Sequence, residues 1–161
     1  MKKPNFLNKL IGEKKMELVD PSNEISLSYL EKAENCLKSA KILLENNLYE
    51  NSITNSYYVM YNSLLALLFR TGIKSENHAG SILLFRKLFE REDLFKIISS
   101  AKEERIDKQY YVTSKENIVL TKESARDMLS KAESFLTKMK LLIEELNNEG
   151  IEKARERFNE I

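Results

Sequence analysis

Three asparagines and a tyrosine share one side of a helical segment. At about 100° per residue, Asn51, Asn55, Tyr58 and Asn62 fall within about 60° of one another. The segment from Ile53 to Phe69 is otherwise mostly apolar, so a narrow amide-and-phenol stripe runs along a greasy rod. Carboxamides offer donors and acceptors together, and a phenol adds a flat face. Such a stripe suits the edge of a nucleobase or a ribose. It equally suits hydrogen bonding across a two-fold dimer interface, and many bundle helices show such residues to water with no further role. Two other places carry reactive side chains. His78, the single histidine, stands just before an expected helix start, where a cap or surface role is the plain alternative to binding. The stretch Arg105-Ile-Asp-Lys-Gln-Tyr-Tyr111 is basic and aromatic at once, which suits single-stranded nucleic acid through Arg105 and Tyr110. A loop of this kind also packs tyrosines on its bundle and leaves its charges wet. Tyr57 and Tyr61 fall near the apolar stripe and are expected in the core or at its boundary, hydroxyls reaching a partner or water.

Other chemistries find no support in the residues. A carboxylate-bridged metal site in a bundle needs Glu-x-x-His pairs, and Ser75 rather than a glutamate stands three residues before His78. One histidine and one cysteine are too few for a zinc site. A Ser–His–acid arrangement would have to use His78, and nothing near it supports one. No glycine-rich phosphate loop is present. The residues therefore imply no metal and no cofactor. The formal net charge of +1 excludes an overall field that would draw in nucleic acid or membrane. Cys36 cannot form an internal disulfide, which fits a reducing, cytoplasmic location. The longest greasy run, Ser63 to Phe69, is too short to span a bilayer, and no secretory leader is expected.

The elements that must position these residues follow from periodicity. A helix is expected over 22–46, with Ser22 or a Ser28–Glu31 box as its cap and Asn46 and Asn47 as stops. The stripe-bearing helix is expected over 51–71 and ends at Gly72. Shorter helices are expected over 79–90 and 93–105, a long loop over 107–119, and a last long helix over 121–147. Gly150 is expected to interrupt that helix before a final piece using Ile151, Ala154 and Phe158. No strand alternation competes. The expectation is an all-α, antiparallel up-down bundle of four to five helices with short flanking segments at both ends. Residues 1–21 are expected as a basic appendage, 22–147 as the bundle and 148–161 as an acidic helical tail.

The segment Asn55-Ser-Tyr-Tyr-Val-Met-Tyr-Asn62 resembles the HEPN family of archaeal and bacterial helical proteins, whose pattern there is roughly Arg-Ala-Tyr-Tyr-Ala-Met-Phe-His. The order continues with Leu64–Leu68, Gly72, His78-Ala-Gly80, Arg105-Ile-Asp-Lys-Gln-Tyr110, and a final helix around Ala125, Ala132 and Phe135. The resemblance covers residues 25–145. It implies a bundle of four or five helices that usually forms a homodimer. It also implies an RNA-cleaving toxin or part of an RNA-targeting defence system, sometimes paired with a small nucleotidyltransferase as antitoxin. In the nuclease members an arginine and a histidine a few residues apart form the active site across the dimer. Here those positions hold Asn55 and Asn62. An amide does not titrate near neutral pH and so cannot replace a general acid–base histidine, nor can it offer a fixed positive charge to a phosphate. Arg70 and His78 straddle Gly72 and do not rebuild the pair. The expectation is a non-catalytic binding module for RNA, a nucleotide or a nucleotidyltransferase partner, without membrane association. The binding residues would be Asn51, Asn55, Tyr58, Asn62, His78, Arg105 and Tyr110. An RNase that recruits other residues, and a purely structural dimerisation protein, are the alternatives.

Overall fold

The computed structural model describes residues 5–110 and 121–161, the side chains of 106–110 excepted. The described residues form α1 (Phe6–Gly12), β1 (Met16–Leu18), α2 (Asn23–Glu45), α3 (Tyr49–Arg70), β2 (Ile73–Ser75), α4 (His78–Phe89), α5 (Glu92–Tyr110), α6 (Lys122–Glu145) and α7 (Asn148–Asn159). The all-α expectation holds. Helix α3 is the centre, packed by α2, α6, α5 and α4. Its apolar periodicity explains this: Tyr57, Met60, Leu64, Leu67 and Leu68 are all fully buried, and the greasy second half leaves no dry side exposed. Only Asn46, Asn47 and Leu48 separate α2 from α3, and Asn47 takes the left-handed backbone (φ 61°) that makes so tight a reversal possible.

Polar side chains set where the helices begin. Ser22 Oγ accepts from the Ile25 N–H at 3.1 Å, so α2 starts there and Ser28 lies inside the helix. Asn77 Oδ1 accepts from the Gly80 N–H at 2.8 Å, which makes His78 the first residue of α4 rather than one that precedes it. Gly150 does not interrupt the last helix. The break falls earlier, at extended Leu146, because Asn147 caps a new helix by accepting from the Gly150 N–H at 2.9 Å. Helix α5 continues through Tyr110, past the expected loop start at 107, since no glycine or proline stops it. Residues 111–119 of that expected loop lie outside the described residues.

Two further departures concern the ends. β1 and β2 pair antiparallel, with Met16 opposite Ser75 and Leu18 opposite Ile73, although no strand was expected. Three-residue strands are too short to show an alternation in sequence. The N-terminal segment is not an appendage from Asn5 onward. Leu7, Leu10 and Met16 are buried in the common core, and Met16 and Leu10 close over Gly80, where a Cβ would strike both. The C-terminal helix also packs down: Ile151, Ala154 and Phe158 are buried, and α7 lies on α4. Arg155 Nη1 donates to the carbonyls of Val19, Thr71 and Gly72 at 2.8, 3.2 and 2.9 Å. No described helix is long and apolar enough to cross a membrane.

The junction at Gly72 therefore gathers α3, β1, β2 and α7. Gly72 has φ +72°, a region where a side chain is strained, and a Cβ there would stand 2.7 Å from Pro21 N and closer still to the Val19 carbonyl oxygen. Gly72→Ala is expected to destabilise the protein by roughly 3 kcal/mol or more, combining left-handed strain with a backbone clash. Urea denaturation of the two proteins measures this, and an equal midpoint would contradict it.

Candidate functional site

Tyr57 and Tyr61 sit one turn apart on the buried side of α3, and their rings stack 6.1 Å apart. His78, held at the start of α4 by the Asn77 cap, lies flat on Tyr61 with ring centroids 3.7 Å apart and 13° between planes. Its Nδ1 is 2.8 Å from the Tyr57 hydroxyl. The Tyr61 hydroxyl is 3.4 Å from Ser81 Oγ, which in turn lies 2.7 Å from Ser75 Oγ on β2 and 2.9 Å from the Asn77 carbonyl. Cap, strand and central helix thus fix one imidazole from three directions.

Arg105, on α5, closes the cluster from the other side. Its guanidinium carbon stands 4.7 Å from the Tyr57 ring centre and 5.5 Å from that of Tyr58, within cation–π range. Its Nη1 donates to the Tyr58 hydroxyl at 3.0 Å. Its Nε is buried and has no hydrogen-bond partner among the described residues. Tyr58 also meets the His78 ring edge-on at 6.1 Å. The result is a half-buried patch of one phenol face, one imidazole and one guanidinium.

Electrostatics follow from this packing. Burial, with the positive charges of Arg105 and Lys102, lowers the His78 pKa to about 4, so the ring is neutral near pH 7. Burial pushes the Tyr57 phenol well above its ordinary value, against the opposing pull of Arg105. Tyr61 moves the same way, mainly through burial.

The structure brings together Tyr58, His78 and Arg105 of the sequence-expected set. It divides the asparagines. Asn51 is exposed near the start of α3, and Asn55 turns its Nδ2 back onto the Asn51 carbonyl at 3.0 Å. Asn62 points its Nδ2 at Cys36 Sγ on α2, 3.7 Å away. Burial raises the Cys36 thiol pKa, and that amide opposes the rise. The Tyr110 side chain lies outside the described residues. Sequence reasoning missed the wiring of Tyr57 and Tyr61 to His78 and Ser81. The four-residue spacing of those tyrosines announced a shared face, but their partners lie on the next helix, 20 and 21 residues further along the chain. Among the described residues no three His, Cys, Asp or Glu side chains group to hold a metal ion.

Because the folded pKa of His78 lies below the unfolded value of 6.5, the unfolded chain binds the extra proton first. The stability gained by holding this ring neutral is complete above pH 6.5 and is lost as pH falls from 6.5 through 4. The single imidazole makes NMR titration unambiguous. The expected midpoint is about 4, moving toward 6.5 in Arg105→Gln, where one opposing charge is gone. A wild-type midpoint near 6.5 would show the ring to be solvated.

A family model described as HEPN domain matches residues 26–145, which leaves α1, β1 and α7 outside the matched span. The chain is 33% identical over 120 residues to a protein of Methanocaldococcus jannaschii named Putative toxin MJ0605, covering 73% of this chain and 87% of the relative. It is 31% identical over 116 residues to another from the same organism, Putative toxin MJ0142, covering 69% and 76%. A UPF0332 protein of Thermotoga maritima is 29% identical over 120 residues, covering 71% and 88%. With a family model matched over more than half its length and set on a central α3 that carries the aromatic cluster, this chain belongs to the HEPN domain family.

Proposed function

We propose that this HEPN-family chain is an RNA-binding module of toxin–antitoxin type that holds RNA without cutting it, as a homodimer working beside a small nucleotidyltransferase. The names of the two Methanocaldococcus relatives support the toxin setting. The family resemblance is the source of the dimer and of the nucleotidyltransferase. The Tyr58–Arg105–His78 patch supports RNA: an aromatic face takes a base, and a guanidinium takes a phosphate or stacks in its turn. A free nucleotide presents the same two groups and would compete there.

One observation carries the non-cutting part. At the two positions where the nuclease pair would stand, both amides are tied inside the subunit, Asn55 to its own helix and Asn62 to Cys36. Neither amide titrates near neutral pH, so neither can serve as a general acid or base.

A second reading has an observation of its own. His78 and Arg105 meet over Tyr57, so a histidine and an arginine do converge, though from α4 and α5. In that RNase, neutral His78 could accept a proton but not arrive carrying one. Its Nδ1 is already engaged by Tyr57.

Labelled single-stranded RNA incubated with purified protein separates the readings. The expected result is a rise in anisotropy with the RNA intact on a gel, and dimer mass by light scattering. Tyr58→Ala should weaken binding by at least about fivefold, the low end for one lost base stack. Cleavage abolished by His78→Ala and by Arg105→Ala would replace the first reading with the second. Absence of RNA binding would remove both.

A further inference from the structure

α4 and α5 leave a groove between them that starts at the aromatic cluster. Ala79, next to His78, and Lys102, one turn before Arg105, stand at its near end; Ile82, Phe95, Ser99 and Glu103 line the rest of a recess of about 210 Å³. Phe95, Ser99 and Lys102 recur at four- and three-residue steps, so they share one face of α5. Ala79 follows His78 in the chain and Lys102 lies one turn from Arg105, so the groove and the cluster adjoin. At the far end Arg86 of α4 lies over the Phe95 ring, 4.7 Å from its centre. From Phe95 to Arg105 the helix rises about 15 Å.

The two ends of the groove therefore repeat one device, a guanidinium over an aromatic ring, with an ammonium between them. Two carboxylates qualify the field. Glu92 takes one side of Arg86 through a 2.8 Å ion pair, and Glu103 stands on the groove wall. Three cations, Arg105 and Lys102 toward the near end and Arg86 at the far end, still stand among ring faces, the arrangement a single strand uses when phosphates meet cations and bases meet rings. A lone phosphate or mononucleotide would need only one end.

We infer that the α4–α5 groove is the path of a single-stranded RNA leaving the Tyr58–Arg105 patch, with Lys102 on its backbone and the Arg86–Phe95 pair as a second base platform. This rests on the RNA-binding reading above and adds a direction and a length to it. The groove selects strands long enough to reach both platforms.

Uridine oligomers of two and eight nucleotides test this, with anisotropy for the longer and the His78 imidazole resonance for the shorter. Arg86→Gln is expected to weaken the eight-mer severalfold and to lower its salt slope by about 0.7, leaving the dinucleotide unchanged, while Lys102→Gln, beside the patch, is expected to lower the eight-mer's salt slope by as much. Lys102→Glu should weaken the eight-mer further, and circular dichroism checks that each variant is folded. Tyr58→Ala should weaken both oligomers. Unchanged eight-mer affinity and salt slope in the Lys102 and Arg86 variants, with Tyr58→Ala still impaired, would overturn the groove and spare the RNA-binding reading. Equal losses for both lengths in Arg86→Gln would also overturn the groove. A wild-type protein that binds neither oligomer would overturn the two together.

Discussion

A helix enclosed by four others leaves its polar side chains few places to go, and that enclosure of α3 governs the rest of the molecule. A buried hydroxyl on its inner side is costly to leave unpaired, about 1–3 kcal/mol, a cost that Ser56 Oγ bears. Tyr57 and Tyr61 meet the demand by reaching across to the first turn of α4. That requirement places His78. The Asn77 cap and the β2 serine then hold the α4 end of the contact. The aromatic cluster is thus a product of core satisfaction before it is a binding surface. Tyr58, Arg105 and the half-buried His78 extend it toward the outside.

This origin explains what could be read from the sequence. The helices were legible because three- and four-residue periodicity is a local signal, and Ser22, Asn47 and Gly72 marked ends by local chemistry. The terminal segments were not. Leu7 and Leu10 show a short apolar cluster among lysines, and nothing local says that Met16 would pair with Ser75 or that Leu10 would lie on Gly80. Likewise Gly150 looks like a breaker. The cap made by Asn147 wins, because a donor satisfied at a helix start outweighs the modest helix penalty of one glycine.

The site was legible in part for the same reason. Helical spacing found the shared stripe of Asn51, Asn55, Tyr58 and Asn62. It could not say which neighbour each member would meet. Helix α2 takes Asn62 through Cys36, and α5 takes Tyr58 through Arg105, so one stripe is split between two partners. Residues on one face of a helix share an orientation, not a destination. His78, expected as a binding residue with a cap or surface role as the alternative, is half-buried, stacked on Tyr61 in a neutral form that bears little desolvation penalty.

The hydrogen bond from Arg155 to the Val19 carbonyl joins positions 136 residues apart. Closing so large a loop yields nothing until most of the intervening chain is already organised, and the entropy of closure grows only slowly beyond that point. By sequence separation alone, the contact is expected to form after the helices it joins. α7 behaves as a buckle on a belt: its release would open the circle of the chain without disturbing the α2–α3 hairpin. Partial opening, such as exchange of backbone amides records, should begin at this seam and spread through β1 and β2 before it reaches the centre.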